Sequence, residues 1–342
     1  MVRIARWARE EEITSGFVVD SIAYPLPDGM TTQTLLEMGL ERTLALAEET
    51  CTDGVGVPLD EVVLLAPLEP ASIRDFVTFE EHVEGIVKTM AGGHVVEEWY
   101  QAPTFYFTNP HTVSATNTTV GIPAGCEELD FEAEVAAVIG HVKDSDGRNL
   151  NSDVAGGHIF GYTILNDWSA RDLQRREMKV SLGPCKGKDF NNTLGPWIVT
   201  ADEFNGRHDE EGFLPLPIRV EVNDKEIGTD SLSNMGWPFN ELVSYASRDS
   251  RIVPGDVLGS GTCGSGCLAE LWGRNGEKLP LPLKPADTVR ITVDGIGTIE
   301  NTVGEPNDSA ETVARARKRP YRSSIGDGFN LLGVPEDAAT RS

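Results

Sequence analysis

Positively charged residues are scarce in this 342-residue chain. Asp and Glu number 54 and Lys and Arg only 29, which leaves a formal net charge of -25 at pH 7 and a pI near 4.6. Polyanions are bound by clustered cations, so this deficit argues against a nucleic-acid partner and against an anionic membrane surface. The acidic excess by itself indicates only a solvated, self-repelling surface, although it favours the capture of cations.

Cysteine and long apolar runs are also rare. No run approaches the roughly 20 apolar residues of a membrane span, and the first residues turn acidic where a signal peptide needs an apolar stretch. The few scattered cysteines do not fit a disulfide framework, and no spacing among them predicts a zinc site. We therefore expect a cytoplasmic protein with no membrane partner. The five cysteines are Cys51, Cys126, Cys185, Cys263 and Cys267.

The first 66 residues predict a small N-terminal α/β module. Apolar residues recur at helical spacing between Thr31 and Glu49, which predicts one helix. A Pro-punctuated apolar segment, Val62 to Pro70, predicts a strand that enters the main domain, residues 67–305. Residues 306–342 lose the apolar pattern and include a basic, Pro-containing stretch, so we expect an irregular tail.

Short apolar strands dominate the main domain. Gly, Pro, Asn and Asp clusters separate them at many joins, and few long helices intervene. This pattern predicts a β-rich α+β fold and disfavours a doubly wound parallel sheet. The predicted strands are Phe105–Phe107, Phe131–Ile139, Phe160–Leu165, Trp197–Thr200, Ile218–Val222, Val257–Leu258 and Val289–Val293.

Carboxylates alternate with apolar residues along one of these strands. The strand period of two places Glu132 and Glu134 on one face, with Asp130 on the same face, and Phe131 and Val135 on the other. A solvated strand face explains such an alternation without any function. The pair alone therefore does not predict a site.

The next strand ends in a further acid, Asp167, and a helix is predicted to follow it. Ser169 and Asp172 match the pattern of a helix cap. Arg171 and Gln174 are three residues apart, so they share a helix face close to Asp167. A surface ion pair would explain Arg171 without any function. A cation and an amide donor beside an acid also fit a catalytic site.

Two glycine-rich loops imitate nucleotide-binding motifs. The loop from Leu182 to Phe190 carries Lys188, but Asp189 stands where a P-loop needs Ser or Thr. Residues 259–264 match G-x-G-x-x-G, yet no βαβ unit follows in the remaining chain. Neither loop predicts a nucleotide site. We interpret residues 259–264 as a turn whose backbone approaches another segment closely.

Four segments, taken together and in order, resemble the fumarylacetoacetate hydrolase family from about residue 70 to residue 303. The resemblance implies a mixed β-roll catalytic domain, a homodimer, and one divalent cation (Mg²⁺, Mn²⁺ or Ca²⁺) held by carboxylates. It implies Glu132, Glu134 and Asp167 as the metal ligands. The four segments are DFEAEVAAVIG, GYTILNDWSARDLQ, LGPCKGKDF and VPGDVLGSGT.

The match to the fumarylacetoacetase branch of that family extends the implied site. It makes Asp75 a possible fourth metal ligand and His82 the base that activates water, with Glu270 orienting that His. Five further residues have roles by the same resemblance: stabilising developing negative charge for Arg171, Gln174 and Lys188, and contacting the substrate for Tyr106 and Thr262.

Several positions depart from the family pattern. Met178 stands where an aromatic substrate-binding residue is expected, and Asn192 stands where a Thr often follows the Lys loop, so the substrate stays open. Other branches place a Glu three residues after the catalytic His. Here Glu84 comes two residues after His82, which favours Glu270 as the partner of His82.

A site made only of carboxylates suits a hard cation, and thereby a substrate that binds through oxygen. In a β-diketo acid or an acylpyruvate, such a cation stabilises the enolate that is released when the carbon–carbon bond breaks. Together with the family resemblance, this chemistry predicts a hydrolase that cleaves a carbon–carbon bond in such a substrate. The resemblance makes His82 the base, a role that suits an imidazole because it titrates near neutral pH, and His111 is the alternative.

Two other functions remain open from the sequence. An isomerase or decarboxylase of a 2-oxo or 2-hydroxy-diene dicarboxylate, such as oxaloacetate, needs the same stabilised enolate but no hydrolytic water. A noncatalytic protein stabilised by Ca²⁺ would surround the ion with protein oxygens and leave no open position. Activity on oxaloacetate without activity on acylpyruvates would favour the isomerase or decarboxylase. A coordination sphere closed by protein oxygens would favour the Ca²⁺-stabilised protein.

Overall fold

The computed structural model describes residues 1–91, 94–307 and 315–317, without the side chains of residues 87–91. Residues 1–308 form one compact unit, and residues 309–342 are a second. Most of the predicted tail, residues 306–342, lies outside the described residues, and so does most of its basic stretch from Arg315 to Arg322. Its irregular structure therefore stays a prediction.

Strands make up most of the regular structure, and the seven strands predicted within the main domain each overlap an observed one, as does the strand predicted between Val62 and Pro70. In the described residues the strands are β1 Arg3–Arg9, β2 Glu12–Val19, β3 Ile22–Pro25, β4 Val57–Pro58, β5 Val63–Leu65, β6 Ser72–Phe76, β7 Phe105–Thr108, β8 Val113–Ser114, β9 Thr118–Ile122, β10 Leu129–Asp130, β11 Ala133–Ile139, β12 Ile159–Asp167, β13 Ser169–Ala170, β14 Asn192–Thr200, β15 Pro217–Val222, β16 Lys225–Ser231, β17 Asp256–Gly259, β18 Thr288–Val293 and β19 Gly297–Pro306.

The α-helices are short. None of them, within the described residues, is long and apolar enough to cross a membrane. They are α1 Thr32–Met38, α2 Leu40–Asp53, α3 Glu80–Ala91, α4 Ser152–Ala155, α5 Arg171–Met178, α6 Phe239–Ser247 and α7 Leu268–Asn275.

The strands form a mixed sheet of twelve and a second sheet of five. The larger sheet has the order β4-β3-β2-β1-β14-β12-β11-β17-β6-β7, with β5 paired to β1 and β8 to β14. Most neighbours are antiparallel, whereas β17 and β6 are parallel. The smaller sheet has the order β16-β15-β18-β19-β9, and β10 pairs separately with β13. The predicted β-rich α+β fold is confirmed.

The strands of the first 66 residues are part of the larger sheet. β1 pairs antiparallel with β14, and β2 and β5 pair with β1. That residues 1–66 constitute a domain of their own stays a prediction.

The centre of the larger sheet is buried on both faces. Every residue of β11 and β12 is buried, as expected for near-continuously apolar strands that are covered on both sides. Along β11, Val135 and Ala137 join one hydrophobic cluster, whereas Ala136 and Val138 join another that includes Leu35 of α1. These two cores fix the register of β11, because a shift of one residue would exchange its two faces.

The predicted single helix from Thr31 to Glu49 is wrong, because Gly39 divides it into α1 and α2. Gly39 has φ +84°, a conformation that glycine adopts without strain. A Cβ at this position would lie 2.7 Å from the carbonyl oxygen of His141. The break therefore lets the loop at His141 approach the helix pair, and the helical periodicity of the sequence does not report it.

Candidate metal centre and active site

Four acidic side chains meet on neighbouring strands of the larger sheet. Asp75 lies on β6, Glu134 lies on β11, and Asp167 is the last residue of β12. Glu132 directly precedes β11, and its backbone carbonyl accepts a hydrogen bond from the N–H of Asp167. All four side chains are buried. The strand order therefore gathers acids that are up to 92 residues apart in the sequence, the separation of Asp75 and Asp167.

Gly259 on β17 makes room for these carboxylates. It pairs with Ala136 on β11 and with Asp75 on β6. A Cβ at Gly259 would lie 2.8 Å from both Asp75 Oδ1 and Glu134 Oε2. The next glycine, Gly261, has φ +82° and its N–H donates to Glu134 Oε2 at 3.1 Å. The close backbone approach predicted for residues 259–264 is present.

The acids fit a hard divalent cation. Asp75, Glu132 and Asp167 each offer an oxygen, and these three atoms lie within 4.8 Å of one another. Glu134 lies close enough to Asp75 for the charge of each carboxylate to act on the other. The buried oxygens Asp75 Oδ1, Glu134 Oε1 and Asp167 Oδ1 have no hydrogen-bond partner. Buried carboxylate oxygens are normally satisfied, and a cluster of unsatisfied ones suits Mg²⁺, Mn²⁺ or Ca²⁺.

The proximity of these acids is costly without a positive charge. Burial raises the pKa of Asp75 well above its usual value, and the charge of Asp167 raises it further. Burial and then Asp75 raise the pKa of Glu134 in the same way. The pKa of Asp167 is raised by burial, although Lys188 opposes the rise. A positive charge in addition to that of Lys188 would therefore stabilise the ionised forms of these three carboxyl groups.

Lys188 supplies a positive charge to two acids of the cluster, Glu132 and Asp167. Its Nζ donates to Glu132 Oε2 at 2.5 Å and to Asp167 Oδ2 at 2.6 Å. Burial opposes the ionised form of Glu132, but Lys188 and Arg171 outweigh it and hold the pKa of Glu132 below its ordinary value. Burial also opposes the charge of Lys188, yet Asp167 and Glu132 hold its pKa above the ordinary value. Glu132 and Lys188 are therefore a buried ion pair.

Arg171, at the first position of α5, is oriented by Asp130. Its Nε donates to Asp130 Oδ2 at 2.8 Å, and its NH1 lies 2.7 Å from Glu132 Oε1. Asp130 also accepts from the backbone N–H groups of Leu268 and Ala269 at the start of α7. Asp130 lies on the separate strand β10 and β11 begins only at Ala133, so the strand alternation that was expected to place Asp130 with Glu132 and Glu134 does not extend to it; Asp130 and Glu132 nevertheless contact the same guanidinium.

The predicted cap of α5 is also wrong. Residue Ala170 occupies the N-cap position and makes no side-chain capping bond. The hydroxyl of Ser169 donates instead to the carbonyl oxygen of Asp167. Asp172 accepts from the N–H of Glu127, so it ties α5 to the segment before β10.

The remaining residues of the implied substrate site lie around this cluster. Gln174 accepts a hydrogen bond from Arg171 NH1 at 3.2 Å, which confirms that the two share a helix face. The hydroxyl of Tyr106, opposite Asp75 on β7, donates to Asp167 Oδ2. Thr262 is buried in the turn after β17.

His82 on α3 faces Glu270 on α7. Its Nδ1 lies 3.3 Å from Glu270 Oε2, and both side chains are buried. A carboxylate accepts hydrogen bonds, so this geometry suits the tautomer in which Nδ1–H donates to Glu270 Oε2. A His82 ring nitrogen, a Glu132 oxygen and Cys267 Sγ lie within 4.8 Å of one another. The imidazole therefore borders the carboxylate cluster.

The alternative base, His111, is exposed, and its backbone N–H donates to Asn109 Oδ1. Met178, which departs from the family pattern, is 44% exposed at the end of α5. Asn192 is buried and donates to Thr108 Oγ1 at 3.1 Å.

Three residues of this region were missed from the sequence: Asp130 as the partner of Arg171, Cys267, and Arg274. Cys267 is the N-cap of α7, and its Sγ accepts from the N–H of Glu270 at 3.4 Å and lies 3.8 Å from His82 Nδ1. Arg274 pairs with Glu270 four residues earlier. That spacing could have been recognised as a helical ion pair. The contacts of Asp130 with Arg171 and of Cys267 with His82 join distant parts of the chain, so no local signal reports them.

The sequence model of the fumarylacetoacetate (FAA) hydrolase C-terminal domain matches residues 72–304. The chain therefore belongs to the fumarylacetoacetate hydrolase family, as the resemblance of its motifs implied. Fumarylacetoacetase of Arabidopsis thaliana is 31% identical over 271 residues, which are 66% of this chain and 63% of that protein. Oxaloacetate tautomerase fahd2, mitochondrial, of Xenopus laevis is 34% identical over 187 residues, 54% of this chain and 52% of that protein. The matched part thus spans less than two thirds of either relative.

Solved structures share the fold over nearly their whole length. The 5-carboxymethyl-2-hydroxymuconate delta-isomerase from Mycobacterium smegmatis has a TM-score of 0.62 at 24% identity, with 89% of this chain and 99% of that chain covered. Maleylpyruvate hydrolase from Sphingobium sp. SYK-6, solved with manganese(II) ion and pyruvate, has a TM-score of 0.67 at 20% identity, with 89% and 100% covered. The predicted family fold is confirmed.

Proposed function

We propose that this chain is a metal-dependent hydrolase that cleaves a carbon–carbon bond in an acylpyruvate or β-diketo acid. One observation carries the proposal: a ring nitrogen of His82 lies within 4.8 Å of a carboxylate oxygen of Glu132. Glu132 also belongs to the acidic cluster with Asp75 and Asp167. A base and a cation-binding group can therefore act on one small molecule. The similarity to a fumarylacetoacetase supports this activity.

The carboxylates of Asp75, Glu132, Glu134 and Asp167 would hold one divalent cation, Mg²⁺, Mn²⁺ or Ca²⁺. Bound there, the cation supplies positive charge to the oxygens of a β-dicarbonyl substrate. The maleylpyruvate hydrolase of the same fold was solved with manganese(II) and pyruvate, which supports both the cation and an oxo-acid ligand. By the family resemblance we expect a homodimer, and by the few scattered cysteines a cytoplasmic protein.

His82 is the proposed general base. Glu270 holds the Nδ1–H, so the lone pair of Nε2 can take a proton from water. The water oxygen forms a bond to the carbonyl carbon, and the carbon–carbon bond then breaks. The electron pair of that bond stays on the departing oxo acid as an enolate, and His82 returns its proton to the enolate carbon. One water is consumed, and two acids are formed.

Arg171, Gln174 and Lys188 are the proposed donors to the developing negative charge. Arg171 and Lys188 already contact Glu132 from opposite oxygens, so both cations border the cluster. In a water-excluded site, each correctly placed donor contributes ~2 to 4 kcal/mol to the stabilisation of the transition state. We assign substrate contact to Tyr106 and Thr262.

A second candidate is an isomerase or decarboxylase of a 2-oxo or 2-hydroxy-diene dicarboxylate. The observation in its favour is the similarity to an oxaloacetate tautomerase, at 34% identity. His82 would then move a proton between carbon and oxygen, and no water would enter the product. A noncatalytic Ca²⁺-stabilised protein is less well supported, because such a protein needs no histidine beside the acids.

The test is an assay of the purified protein with Mn²⁺ against acylpyruvates, β-diketo acids and oxaloacetate, in water enriched in ¹⁸O. If the protein is a hydrolase, ¹⁸O should appear in the carboxylate of the acyl product, and chelation of the metal should abolish the activity. Turnover of oxaloacetate alone, without cleavage of any acylpyruvate, would contradict the hydrolase and support the isomerase or decarboxylase. His82→Ala should abolish turnover, whereas His111→Ala, a matched exposed histidine, should retain it; the reverse pattern would make His111 the base.

A further inference from the structure

The acid that faces His82 is held at its other oxygen as well. Glu270 Oε2 faces His82, whereas Glu270 Oε1 accepts hydrogen bonds from the N–H of Ser265 at 2.9 Å and from the guanidinium of Arg274. Arg274 is four residues after Glu270 on α7, so the two side chains share a helix face. Glu270 is completely buried, and Arg274 is its charged partner.

The same guanidinium reaches the helix that carries His82. Arg274 NH2 lies 2.5 Å from Glu81 Oε1, and Arg274 NH1 donates to Ser265 Oγ at 2.8 Å. Glu81 directly precedes His82 in the first turn of α3. One cation therefore joins the orienting acid, the loop before α7 and the first turn of α3.

Gly85 lets the two helices approach. A Cβ at Gly85 would lie 2.4 Å from Cγ of Glu270. Gly85 is three residues after His82, so both lie on the face of α3 that meets α7. Glycine inside a helix is destabilising by roughly 0.5 to 1 kcal/mol relative to alanine, so a packing contact is the physical reason to have it here. This contact sets how closely His82 approaches Glu270.

We propose that Arg274 is a positioning residue for the pair His82–Glu270, and that Gly85 allows the helix contact on which this positioning depends. The inference rests on the proposed function of His82 as the base. By holding Glu270 Oε1, Arg274 stops the carboxylate from rotating away from Nδ1 of His82. By holding Glu81, it keeps the first turn of α3 against α7. Arg274 itself does not touch the substrate.

The kinetic test compares Arg274→Gln with Arg274→Lys. Loss of an orienting partner should lower kcat by roughly 10- to 100-fold. KM should change by less than about threefold, because substrate binding is not removed. Arg274→Lys keeps the charge and should recover most of kcat. The matched control is Arg290→Gln, which also removes an arginine that pairs with acids, here Glu221, Asp224 and Glu300, but on β18; its kcat should equal that of the wild type.

A second measurement does not depend on turnover. In ¹⁵N-labelled protein the Nδ1–H proton of His82, assigned by its loss in His82→Gln, should be observable in the wild type and lost to exchange in Arg274→Gln. If Arg274→Gln does not fold, Gly85→Ala should give the same loss by pushing α3 from Glu270. A wild-type resonance with wild-type kcat in Arg274→Gln, or a rise of KM alone, overturns the proposal. Full activity of His82→Ala would refute the role of His82 as the base. The Nδ1–H resonance of His82 in Arg274→Gln would then be the measurement that tests whether Arg274 holds the pair His82–Glu270 in place.

Discussion

The ammonium group of Lys188 lies between two buried carboxylates, 2.5 Å from Glu132 Oε2 and 2.6 Å from Asp167 Oδ2. All three side chains are less than a tenth exposed. Buried charges are stable only when they are paired, so this lysine offsets part of the repulsion among the acids of the cluster. The same acids carry the orphaned oxygens that fit a cation. Stability and metal binding are therefore linked at this site.

Lys188→Met should lower the free energy of unfolding in EDTA by roughly 3 to 5 kcal/mol, because it leaves buried carboxylates without their partner. Saturating Mn²⁺ should restore part of the loss, about 2.7 kcal/mol at a hundred times the Kd. Urea unfolding with and without the metal measures both. Lys186→Met is the control: Lys186 forms an exposed pair with Asp189, so the change should stay below about 1 kcal/mol. An equal loss in both variants would contradict the prediction.

Asp130→Asn should be destabilising by about 3 kcal/mol and should reduce kcat. Both carboxylate oxygens of Asp130 accept hydrogen bonds, from Arg171 and from the backbone N–H groups of Phe131, Leu268 and Ala269. An asparagine must turn its NH₂ group towards one set of donors. Chemical denaturation and steady-state kinetics measure the two effects.

The control for Asp130→Asn is Asp172→Asn. Asp172 accepts from one backbone N–H, that of Glu127, and its other oxygen has no partner, so an asparagine can keep the single bond. We expect a change in the free energy of unfolding within about 1 kcal/mol. Wild-type stability of Asp130→Asn would show that this buried network is not needed for folding.

Gly39→Ala should lower the free energy of unfolding by roughly 3 kcal/mol, because the positive φ is strained for alanine and its Cβ would meet the carbonyl oxygen of His141. Gly29→Ala has a similar φ of +81° and nothing within 4 Å of its Cβ. Gly29→Ala should lower the free energy of unfolding by only about 1 to 2 kcal/mol, because backbone strain is its only cost. Thermal unfolding of both variants separates strain from contact. Equal losses would mean that the contact with His141 does not matter.

The stability of the fold should fall on mild acidification because of His158. Burial lowers the pKa of His158 below its ordinary value, and Ser145 Oγ lies 2.9 Å from its Nε2. The unfolded chain takes up this proton near pH ~6.5 and the folded chain only at lower pH, so protonation favours unfolding. The contribution of His158 to the free energy of unfolding is therefore complete above pH ~6.5 and is lost as the pH falls below that value.

His158→Gln should therefore lose less stability than the wild type between pH 7.5 and 5.5, as measured by urea unfolding at each pH. His208→Gln, at an exposed position, is the matched variant and should keep the wild-type slope. If His158→Gln and the wild type have the same slope, other groups cause the acid sensitivity.

Local patterns predicted the strands of the main domain well, because a buried strand needs apolar residues at every position or at alternate ones. β12 and β18 are examples of the two kinds. The same patterns failed where a contact from elsewhere in the chain decided the outcome. Gly39 interrupts a helix that the periodicity extends through it, and Ala170 precedes α5 where Ser169 was expected to cap it.

The candidate site shows the same division. Family motifs in the sequence were enough to single out Glu132, Glu134 and Asp167, and the structure brings them together with Asp75. The sequence did not reveal that Asp130 accepts a hydrogen bond from Arg171, which also contacts Glu132. Asp130 also accepts from the backbone N–H groups of Leu268 and Ala269 at the start of α7, and contacts over such a sequence separation leave no local pattern.

The sequence by itself determined the class of fold and the acidic surface, because these follow from residue type and short-range periodicity, and its family motifs supplied the candidate ligands. The tertiary structure decided what each charged group pairs with. Lys188 meets Glu132 across 56 residues and His82 meets Glu270 across 188. Such pairs depend on the order in which strands and helices pack, and the energy of a buried charge is set by neighbours that are distant in the chain.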